Sequence, residues 1–389
     1  MKKRIMAFLA AAAMLMSLTA CGKQDTAADN TAAATTAATE ARVAPELVIA
    51  DNAVDFVKNM KLGWNLGNTL DALGDGSLND ETSWGQPKTT QELIDFVKAS
   101  GFTTIRIPVS WSKHVDADYN IDSAWMDRVQ EVVDYAYYDG LYVIINSHHD
   151  CDMYYPTEDK AEQDAKYLDK IWSQISERFK DYDERLIFES MNEPRLMNTN
   201  KEWWFSSTDP EGVASIECIV KLNQVVVDTV RKSGGYNETR YIMVPSNAAN
   251  ADNALNDAFT VPTDPANRII VSVHAYSPYD FAMNAAGYKD WDGSHDNELG
   301  FMDKLANKFI DNGVGVVIGE FGATNKDNLE ARVAWAESFT KKASELGISC
   351  ILWDNGGIKV GSENFGMVNR IAKGIYFPEL LEAYLKYYK

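Results

Sequence analysis

Eight short apolar runs recur along the chain, and longer segments with helical spacing of apolar residues separate them. Runs of this length and composition are typical of strands that are buried on both faces of a parallel sheet. They lie at Leu62–Leu66, Thr103–Val109, Tyr142–Ser147, Leu186–Ser190, Tyr241–Pro245, Ile269–His274, Val314–Gly319 and Ser349–Trp353. Each run is therefore predicted to form one strand of a parallel sheet.

The amphipathic segments predict helices that connect consecutive strands. They are Thr90–Ser100, Ser123–Tyr138, Lys160–Lys180, Gly212–Lys232, Leu299–Asp311 and Leu329–Leu346, with Pro378–Tyr388 after the last strand and a short, weak Asp252–Phe259. A glycine stands where several of these helices should end, at Gly101, Gly140, Gly234, Gly313 and Gly347. The alternation predicts an α/β fold, a single (β/α)8 TIM barrel. A doubly wound open sheet is the alternative, but no glycine-rich phosphate loop opens any of these helices.

Net charge and aromatic content limit the kinds of molecule that the protein is expected to bind. The 389 residues carry a formal net charge of −20, so no basic field is available to displace counterions from nucleic acid. An acidic surface suits a neutral substrate, and the ten tryptophans offer faces on which sugar rings can stack. Cys151, Cys218 and Cys350 lack metal-type spacing, and a Cys151–Cys218 pair stays open.

The N-terminus has the pattern of a targeting segment. Residues 1–20 combine a basic start with the apolar run Ile5–Leu18, which is too short for a membrane span, and the lipobox-like sequence LTAC spans residues 18–21. Cys21 is predicted to be diacylated and to become the mature N-terminus; an ordinary secretory cleavage site that happens to carry a Cys is the alternative. Residues 21–44 predict a disordered Ala/Thr-rich tether, and residues 45–389 the barrel domain. The protein is thus expected to be extracellular, anchored to the bacterial membrane only through Cys21.

Two acids stand at the ends of predicted strands. Glu193 follows the run LIFES in the sequence NEP, where Pro194 should end the strand. Glu320 closes the β-branched run VGVVIGE. Either acid alone could be a surface glutamate in a turn, but two acids at strand ends suggest a pair that acts on one bond.

Further polar side chains occupy the ends of the other strands, where barrel active sites are built. They are Asn65, Arg106, His148, His149, Asn192, Ser246, Asn247, His274, Tyr276, Trp353, Asp354 and Asn355. Arg106 either points outward as a surface charge or pairs inside the barrel with a carboxylate such as Glu320. The histidines are core residues or zinc ligands, but their spacing does not support zinc.

Eight ordered motifs then give the chain a clear resemblance. They are GWNLGNTLDA (63–72), TSWG (82–85), IRIPVSW (105–111), HHD (148–150), MNEPR (191–195), HAYSPYDF (274–281), GEFG (319–322) and WDNG (353–356). In these motifs the chain, from about Val54 onward, resembles a family 5 glycoside hydrolase, particularly the subfamily of endo-β-1,4-glucanases and xyloglucanases. Gln86 departs from the family pattern, and so does the stretch KEWWFSST (201–208); both bear on substrate preference.

The resemblance implies retaining hydrolysis of β-1,4-glucosidic bonds in a β-glucan. No metal and no cofactor are expected, and the single domain with its acidic tether indicates a monomer. It implies Glu193 as acid/base and Glu320 as nucleophile. The supporting catalytic residues are Arg106, His274 and Tyr276, and the substrate-binding residues are Asn192, His148, His149, Trp353, Asn65 and Trp84. Asn192 and His148 are expected to bind the sugar at the cleavage point, with Trp353 stacked beneath it.

The remaining residues of this set belong to the cleft on either side of that sugar. His149, Asn65 and Trp84 are expected on the non-reducing side, and Trp203 or Trp204 on the opposite side. Arg106 and Tyr276 should favour an ionised Glu320, whose charge should keep Glu193 protonated. A β-mannanase or xylanase on the same barrel is the main alternative. An inactive surface glycan-binding lipoprotein and a metal-dependent hydrolase are the others.

Overall fold

A closed barrel of eight parallel strands organises the chain. The structure, a computed structural model, describes residues 42–389, and in that range β8 pairs with β1 to close the barrel. The strands are β1 (Leu62–Asn65), β2 (Thr104–Ile107), β3 (Tyr142–Asn146), β4 (Leu186–Glu189), β5 (Ile242–Asn250), β6 (Ile269–Ala275), β7 (Gly315–Phe321) and β8 (Ser349–Leu352). The predicted (β/α)8 fold and its eight strands are confirmed.

Helices follow the strands as the amphipathic pattern predicts. They are α1 (Ala53–Met60), α2 (Asp80–Ser83), α3 (Gln91–Ala99), α4 (Ser123–Tyr138), α5 (Ala161–Phe179), α6 (Pro210–Lys232), α7 (Ala251–Leu255), α8 (Tyr279–Ala282), α9 (Phe301–Lys308), α10 (Leu329–Glu345) and α11 (Pro378–Leu385). Short 3₁₀ helices lie at Ser112–His114, Gly235–Glu238, Asp296–Gly300 and Ile310–Asn312, and a small hairpin joins β9 (Val368–Asn369) to β10 (Gly374–Ile375). All five glycines predicted at helix ends have positive φ.

Helix α1 was not predicted, and it covers the N-terminal end of the barrel. Asn52 caps it by accepting a hydrogen bond from the Asp55 backbone N–H. Its buried face packs on the residues that open the strands, and Phe56 stacks on Tyr241 with ring centroids 3.8 Å apart. This helix closes the end of the barrel opposite the predicted site.

Strand residues alternate between two apolar layers. Ile144 and Ile187 face the barrel interior with α1, whereas Val143, Ile145 and Phe188 pack outward against the helices. Because the period is two, Asn146 and Glu189, two residues farther along, face the interior as well. The interior thus changes from apolar to polar on approaching the C-terminal ends of the strands.

Some boundaries differ from prediction. β5 continues to Asn250, beyond the predicted end at Pro245, and its pairing with β6 shifts register between Pro245 and Asn250. Ala248 and Ala249 there have positive φ, so no apolar alternation marks the extension. Cys151, Cys218 and Cys350 are free thiols, so Cys151 and Cys218 do not pair.

The predicted targeting segment precedes the residues that the structure describes. Residues 1–20, Cys21 and all but the last residues of the 21–44 segment lie outside the described residues. From residue 42 onward, no helix is both long and apolar enough to cross a bilayer.

Candidate active site

Glu193 and Glu320 meet at the C-terminal mouth of the barrel, on either side of His274. Nδ1 of His274 lies 2.7 Å from Oε1 of Glu193 and 3.7 Å from Oε2 of Glu320. Ligand-type atoms of the three residues all lie within 4.8 Å of one another. Two carboxyl groups about 5–5.5 Å apart are typical of retaining glycosidases, whereas about 6.5–9.5 Å is typical of inverting ones. Carboxylate oxygens within 4.8 Å of each other favour the retaining spacing over the inverting one.

Local irregularities in β6 and β7 aim these side chains. The β6–β7 pairing shifts register between Val273 and His274, so that His274 pairs with Glu320. Gly319 leaves room beside these side chains, because a Cβ at that position would lie 3.2 Å from Oγ of Ser272 and 3.4 Å from Nε2 of His274. On the β4 side, Pro194 follows Glu193 directly and the strand has already ended at Glu189.

Arg106 ties the nucleophile candidate to the rest of the site. Its Nη1 donates to Oε1 of Glu320 at 2.9 Å, and its Nη2 donates to Oδ1 of Asn192 at 2.7 Å. The side chain is fully buried, so the prediction that it pairs with Glu320 inside the barrel is confirmed and the outward reading is wrong. Tyr276 donates its hydroxyl to the other oxygen of Glu320 at 2.9 Å, as expected.

The protonation of the three central groups differs from the expectation. Burial favours a raised pKa for Glu193, but the hydrogen bond and charge of His274 outweigh it, so its pKa is lowered. Burial raises the pKa of Glu320 despite His274 and Arg106. Burial disfavours a charged His274, yet Glu320 and Glu193 raise its pKa above the ordinary 6.5.

The expectation that Glu320 keeps a proton on Glu193 is therefore wrong for the free protein. The physical reason is His274, which is a better base than a carboxylate and lies between the two acids. The imidazole of His274, whose pKa is raised, lies 2.7 Å from Glu193 and is the group best able to hold a proton for it. Transfer of a proton from Nδ1 of His274 to Oε1 of Glu193 along that hydrogen bond would give the neutral, acid form of Glu193.

His148, Asn192 and Trp353 surround the space beside the acids. Asn192 is buried, and because its Oδ1 is taken by Arg106, its amide N–H groups remain to donate. The rings of His148 and Trp353 are nearly parallel, at 5°, with centroids 5.9 Å apart. Burial lowers the pKa of His148 well below its ordinary value, so the ring is neutral.

His149 and Trp84 form the next part of the cleft. Their ring centroids lie 5.3 Å apart, and Trp84 is 40% exposed. Nε2 of His149 lies 4.0 Å from Oδ2 of Asp71, whose pKa burial raises to about 6. Burial also lowers the pKa of His149 to about 4.

Asn65 does not line the cleft, and its predicted role is wrong. The side chain is fully buried, its Oδ1 accepts from Arg106 and its Nδ2 donates to the carbonyl of Gly319 at 2.9 Å. No part of it is left to bind a sugar. Asn65 instead holds Arg106 and β7 in position.

The sequence interpretation missed a layer of polar residues beneath the acids. Glu189, Asn146 and Ser272 lie on β4, β3 and β6, fully buried and joined by hydrogen bonds. Arg195 was also missed; it donates to the backbone carbonyl of Glu193 at 2.9 Å. The available signal for Glu189 was a charged residue within an otherwise apolar strand run.

An exposed aromatic pair stands on the loop after β4. Trp203 and Trp204 are 53% and 66% exposed, and the Arg195 guanidinium lies over Trp203, 4.2 Å from the ring centroid. Glu202 fixes the other side of Arg195 through an ion pair of 3.0 Å. Arg195 thus connects Trp203 to Glu193.

Within residues 42–389, two residue groups have metal-type ligands, but their hydrogen bonds do not favour a metal. One is Asp71 with His148 and His149; the other is Glu193, His274 and Glu320. Nδ2 of Asn146 points at Nδ1 of His148, 3.1 Å away, which leaves the ring proton on Nε2 and no free lone pair. At the second group, Arg106 already supplies positive charge to Glu320.

Comparison with known proteins places this site in one family. The family model "Cellulase (glycosyl hydrolase family 5)" matches residues 70–358. Cellulase/esterase CelE from Acetivibrio thermocellus is 43% identical over 341 residues, a match that covers 86% of this chain and 40% of CelE. The chain thus spans less than half the length of that relative.

Two solved structures resemble the chain over nearly their whole length. A family 5 lichenase from Caldicellulosiruptor sp. F32, solved as a Glu-to-Gln variant with cellotetraose, is 44% identical with a TM-score of 0.84; the match covers 90% of this chain and 99% of that one. A broad-specificity endoglucanase from Ruminococcus champanellensis with bound cellotriose is 42% identical with a TM-score of 0.82, covering 87% and 100%.

Proposed function

Because the chain belongs to glycoside hydrolase family 5, we propose that it cleaves internal β-1,4-glucosidic bonds of β-glucans with retention of anomeric configuration. The observation that carries this is the acid pair, whose nearest oxygens lie within 4.8 Å around one histidine. Arg106 and Tyr276 donate to Glu320, and His274 contacts Glu193. These contacts support Glu320 as the nucleophile and Glu193 as the acid/base.

In the first step Glu320 attacks the anomeric carbon as a carboxylate. The glycosidic C–O bond breaks while Glu193 protonates the leaving oxygen, and a glycosyl ester forms on Glu320. The proton comes to Glu193 from Nδ1 of His274. The amide of Asn192, oriented by Arg106, donates to the 2-hydroxyl of the sugar as charge develops in the transition state.

In the second step Glu193 acts as a base. As a water molecule attacks the anomeric carbon, Glu193 removes its proton and the ester bond to Glu320 breaks. Two displacements on opposite faces return the original configuration. Glu193 then returns the proton to Nδ1 of His274, which restores the starting state.

The proposed substrates are cellulose-type glucan, mixed-linkage glucan and xyloglucan. Support comes from the similar solved structures, a lichenase with cellotetraose and a broad-specificity endoglucanase with cellotriose. These comparisons do not favour the mannanase or xylanase alternative. His148, Trp353, His149 and Trp84 would bind the non-reducing side, and Trp203 and Trp204 the leaving-group side.

We also propose that the domain acts as a monomer at the outer surface of the cell, anchored through Cys21. The support is the basic start of the chain, the apolar run Ile5–Leu18 and the LTAC sequence that ends at Cys21. A light-scattering mass of one chain is expected for the mature domain. A dimeric mass would contradict the monomer.

The experiment that tests the reaction is inactivation with a 2-fluoro-cellobioside, followed by peptide mass mapping. The expected result is a label on Glu320, which would establish the nucleophile and the retaining mechanism together. A label on Glu193 would reverse the two roles. No label, with barley β-glucan and xyloglucan uncut, would overturn the proposed function.

A further inference from the structure

Glu189 is a buried carboxylate that the proposed reaction does not use directly. It ends β4, four positions before Glu193, and has no solvent exposure. Its Oε2 accepts from Nε of Arg106 at 2.8 Å and from Nδ2 of Asn146 at 2.9 Å. Its Oε1 accepts from the hydroxyl of Ser272 at 2.6 Å. It therefore connects β2, β3, β4 and β6 beneath the reacting groups.

Glu189 shares Arg106 with Glu320. Oε2 of Glu189 lies between Nε and Nη2 of the guanidinium, 2.7 Å from Nη2, while Nη1 reaches Glu320 at 2.9 Å. One positive charge is thus divided between two carboxylates. The planar fork also fixes the direction in which Nη1 and Nη2 point, toward Glu320 and Asn192.

A second branch runs from Glu189 to the sugar-facing histidine. Oδ1 of Asn146 accepts from the Val109 backbone N–H, so its Nδ2 must point toward Glu189 and Nδ1 of His148. This places the proton of neutral His148 on Nε2. Glu189 therefore holds the amide that selects the tautomer of His148.

We propose that Glu189 is a positioning residue for the reaction: it retains part of the charge of Arg106, so that Glu320 stays nucleophilic, and it orients the donors of Arg106 and Asn146. The proposal rests on the proposed glucan hydrolysis and adds a residue to it. A carboxylate that had Arg106 to itself would be more strongly stabilised in the ground state and would attack less readily. The purely structural alternative is that Glu189 only neutralises a buried arginine.

The test is Glu189→Gln, measured as the pH dependence of kcat/KM on barley β-glucan. Glutamine fits the same space, because its oxygen can face Arg106 and Asn146 while its amide donates to the Ser272 hydroxyl. Glu320 titrates among four facing groups, which are Arg106, Glu193, His274 and Tyr276. With Glu189 neutral, the acidic limb should move to lower pH by about one unit, and kcat should fall about tenfold or more.

Glu81→Gln is the matched control. Glu81 is also buried and paired with an arginine, with Nη2 of Arg128 at 2.7 Å and Nε at 2.9 Å. It contacts none of the proposed catalytic groups. Both variants should lower the unfolding temperature, but only Glu189→Gln should move the acidic limb. If the two variants behave alike, with unmoved limbs, Glu189 is structural and the proposal is overturned.

Ser272→Ala is an independent test variant in case Glu189→Gln does not fold. Loss of the Ser272 hydroxyl leaves Glu189 charged but with one donor fewer, so it should hold Arg106 more strongly. The acidic limb should then move to higher pH, opposite to Glu189→Gln; a folded Ser272→Ala protein with an unmoved limb would count against the proposal. Wild-type turnover separates the two hypotheses, because an inactive wild type refutes glucan hydrolysis itself.

Discussion

Glu320 and Glu193 differ in their partners, and this difference predicts how each responds to removal. Glu320→Ala deletes the attacking oxygen and should lower turnover about 10³-fold or more, as should Glu193→Ala for a substrate with a poor leaving group. Neither variant should unfold, since both acids lie at the mouth of the barrel. Azide should rescue Glu320→Ala and yield the inverted glycosyl azide, measured by NMR of the product. Near-wild-type turnover in either variant would refute that assignment.

The placement of His274 between two carboxylates predicts the pH profile of kcat/KM. Glu320 must be ionised to attack, and because its pKa is raised above the ordinary 4.5, activity should be lost as pH falls through that raised value. In the proposed reaction His274 supplies the proton, and because its pKa is raised above 6.5, activity should be lost as pH rises through that raised value. A bell-shaped profile between these limits is expected.

His274→Asn tests the upper limb of that profile. Asparagine keeps a hydrogen-bonding atom near the position of Nδ1 but cannot carry the proton, which would then rest on a carboxyl group. The alkaline limb should move to lower pH, and kcat should fall about 10²-fold. His295→Asn, at a half-buried histidine that is paired with Glu298 and lies outside the proposed site, is the control. An alkaline limb that stays in place in His274→Asn would show that another group supplies the proton.

Site residues that stand at the end of a predicted strand could be predicted from the sequence. Residues whose role depends on a buried hydrogen-bond network could be predicted less well. Glu193, Glu320, Arg106 and His274 follow from strand ends and motifs. Asn65 follows the same pattern, but its amide is consumed inside the barrel. Glu189 was overlooked because only the alternation of β4 and the register with β3 place it beside Arg106.

At the scale of elements, the strands were predictable because each is an apolar run, whereas α1 was not. Helix α1 covers the N-terminal end of the barrel, where the apolar side chains of the interior would otherwise be exposed. The periodicity of the sequence does not reveal this tertiary contact. The end of β5 was missed for a related reason, because left-handed Ala248 and Ala249 continue the strand without alternation. Tertiary context decided both.

The loop between β4 and α6 carries a prediction about chain length. Trp203 and Trp204 expose their rings, and Arg195 connects the first of them to Glu193. Replacing both tryptophans by alanine should lower kcat/KM on long glucans about tenfold through KM, because stacking with the leaving-group sugars is lost. Hydrolysis of an aryl cellobioside, whose leaving group is too short to reach them, should be unchanged.

Tyr236→Ala is the matched control for that loop. Tyr236 is also an exposed aromatic, 46% accessible, but it precedes β5 and therefore lies at the opposite end of the barrel. Its replacement should leave both substrates unaffected. Equal losses on the long glucan and the aryl cellobioside in the tryptophan variant would indicate a disturbed active site instead of a leaving-group subsite.

At the scale of the whole molecule, the catalytic and targeting parts of the chain should be separable. The proposed catalytic groups all lie within residues 42–389, whereas the proposed lipidation site is Cys21. One acyl chain gives only marginal membrane binding, but two give stable anchoring, so a diacylated Cys21 should hold the protein at the membrane. Cys21→Ala should therefore abolish palmitate labelling and move the protein out of the detergent phase, with kcat on soluble β-glucan unchanged.

Cys218→Ala, at a buried thiol, is the control and should label and partition like wild type. A wild-type protein that takes up no label would show an ordinary secretory cleavage site, and a loss of kcat in Cys21→Ala would show that the two parts are coupled.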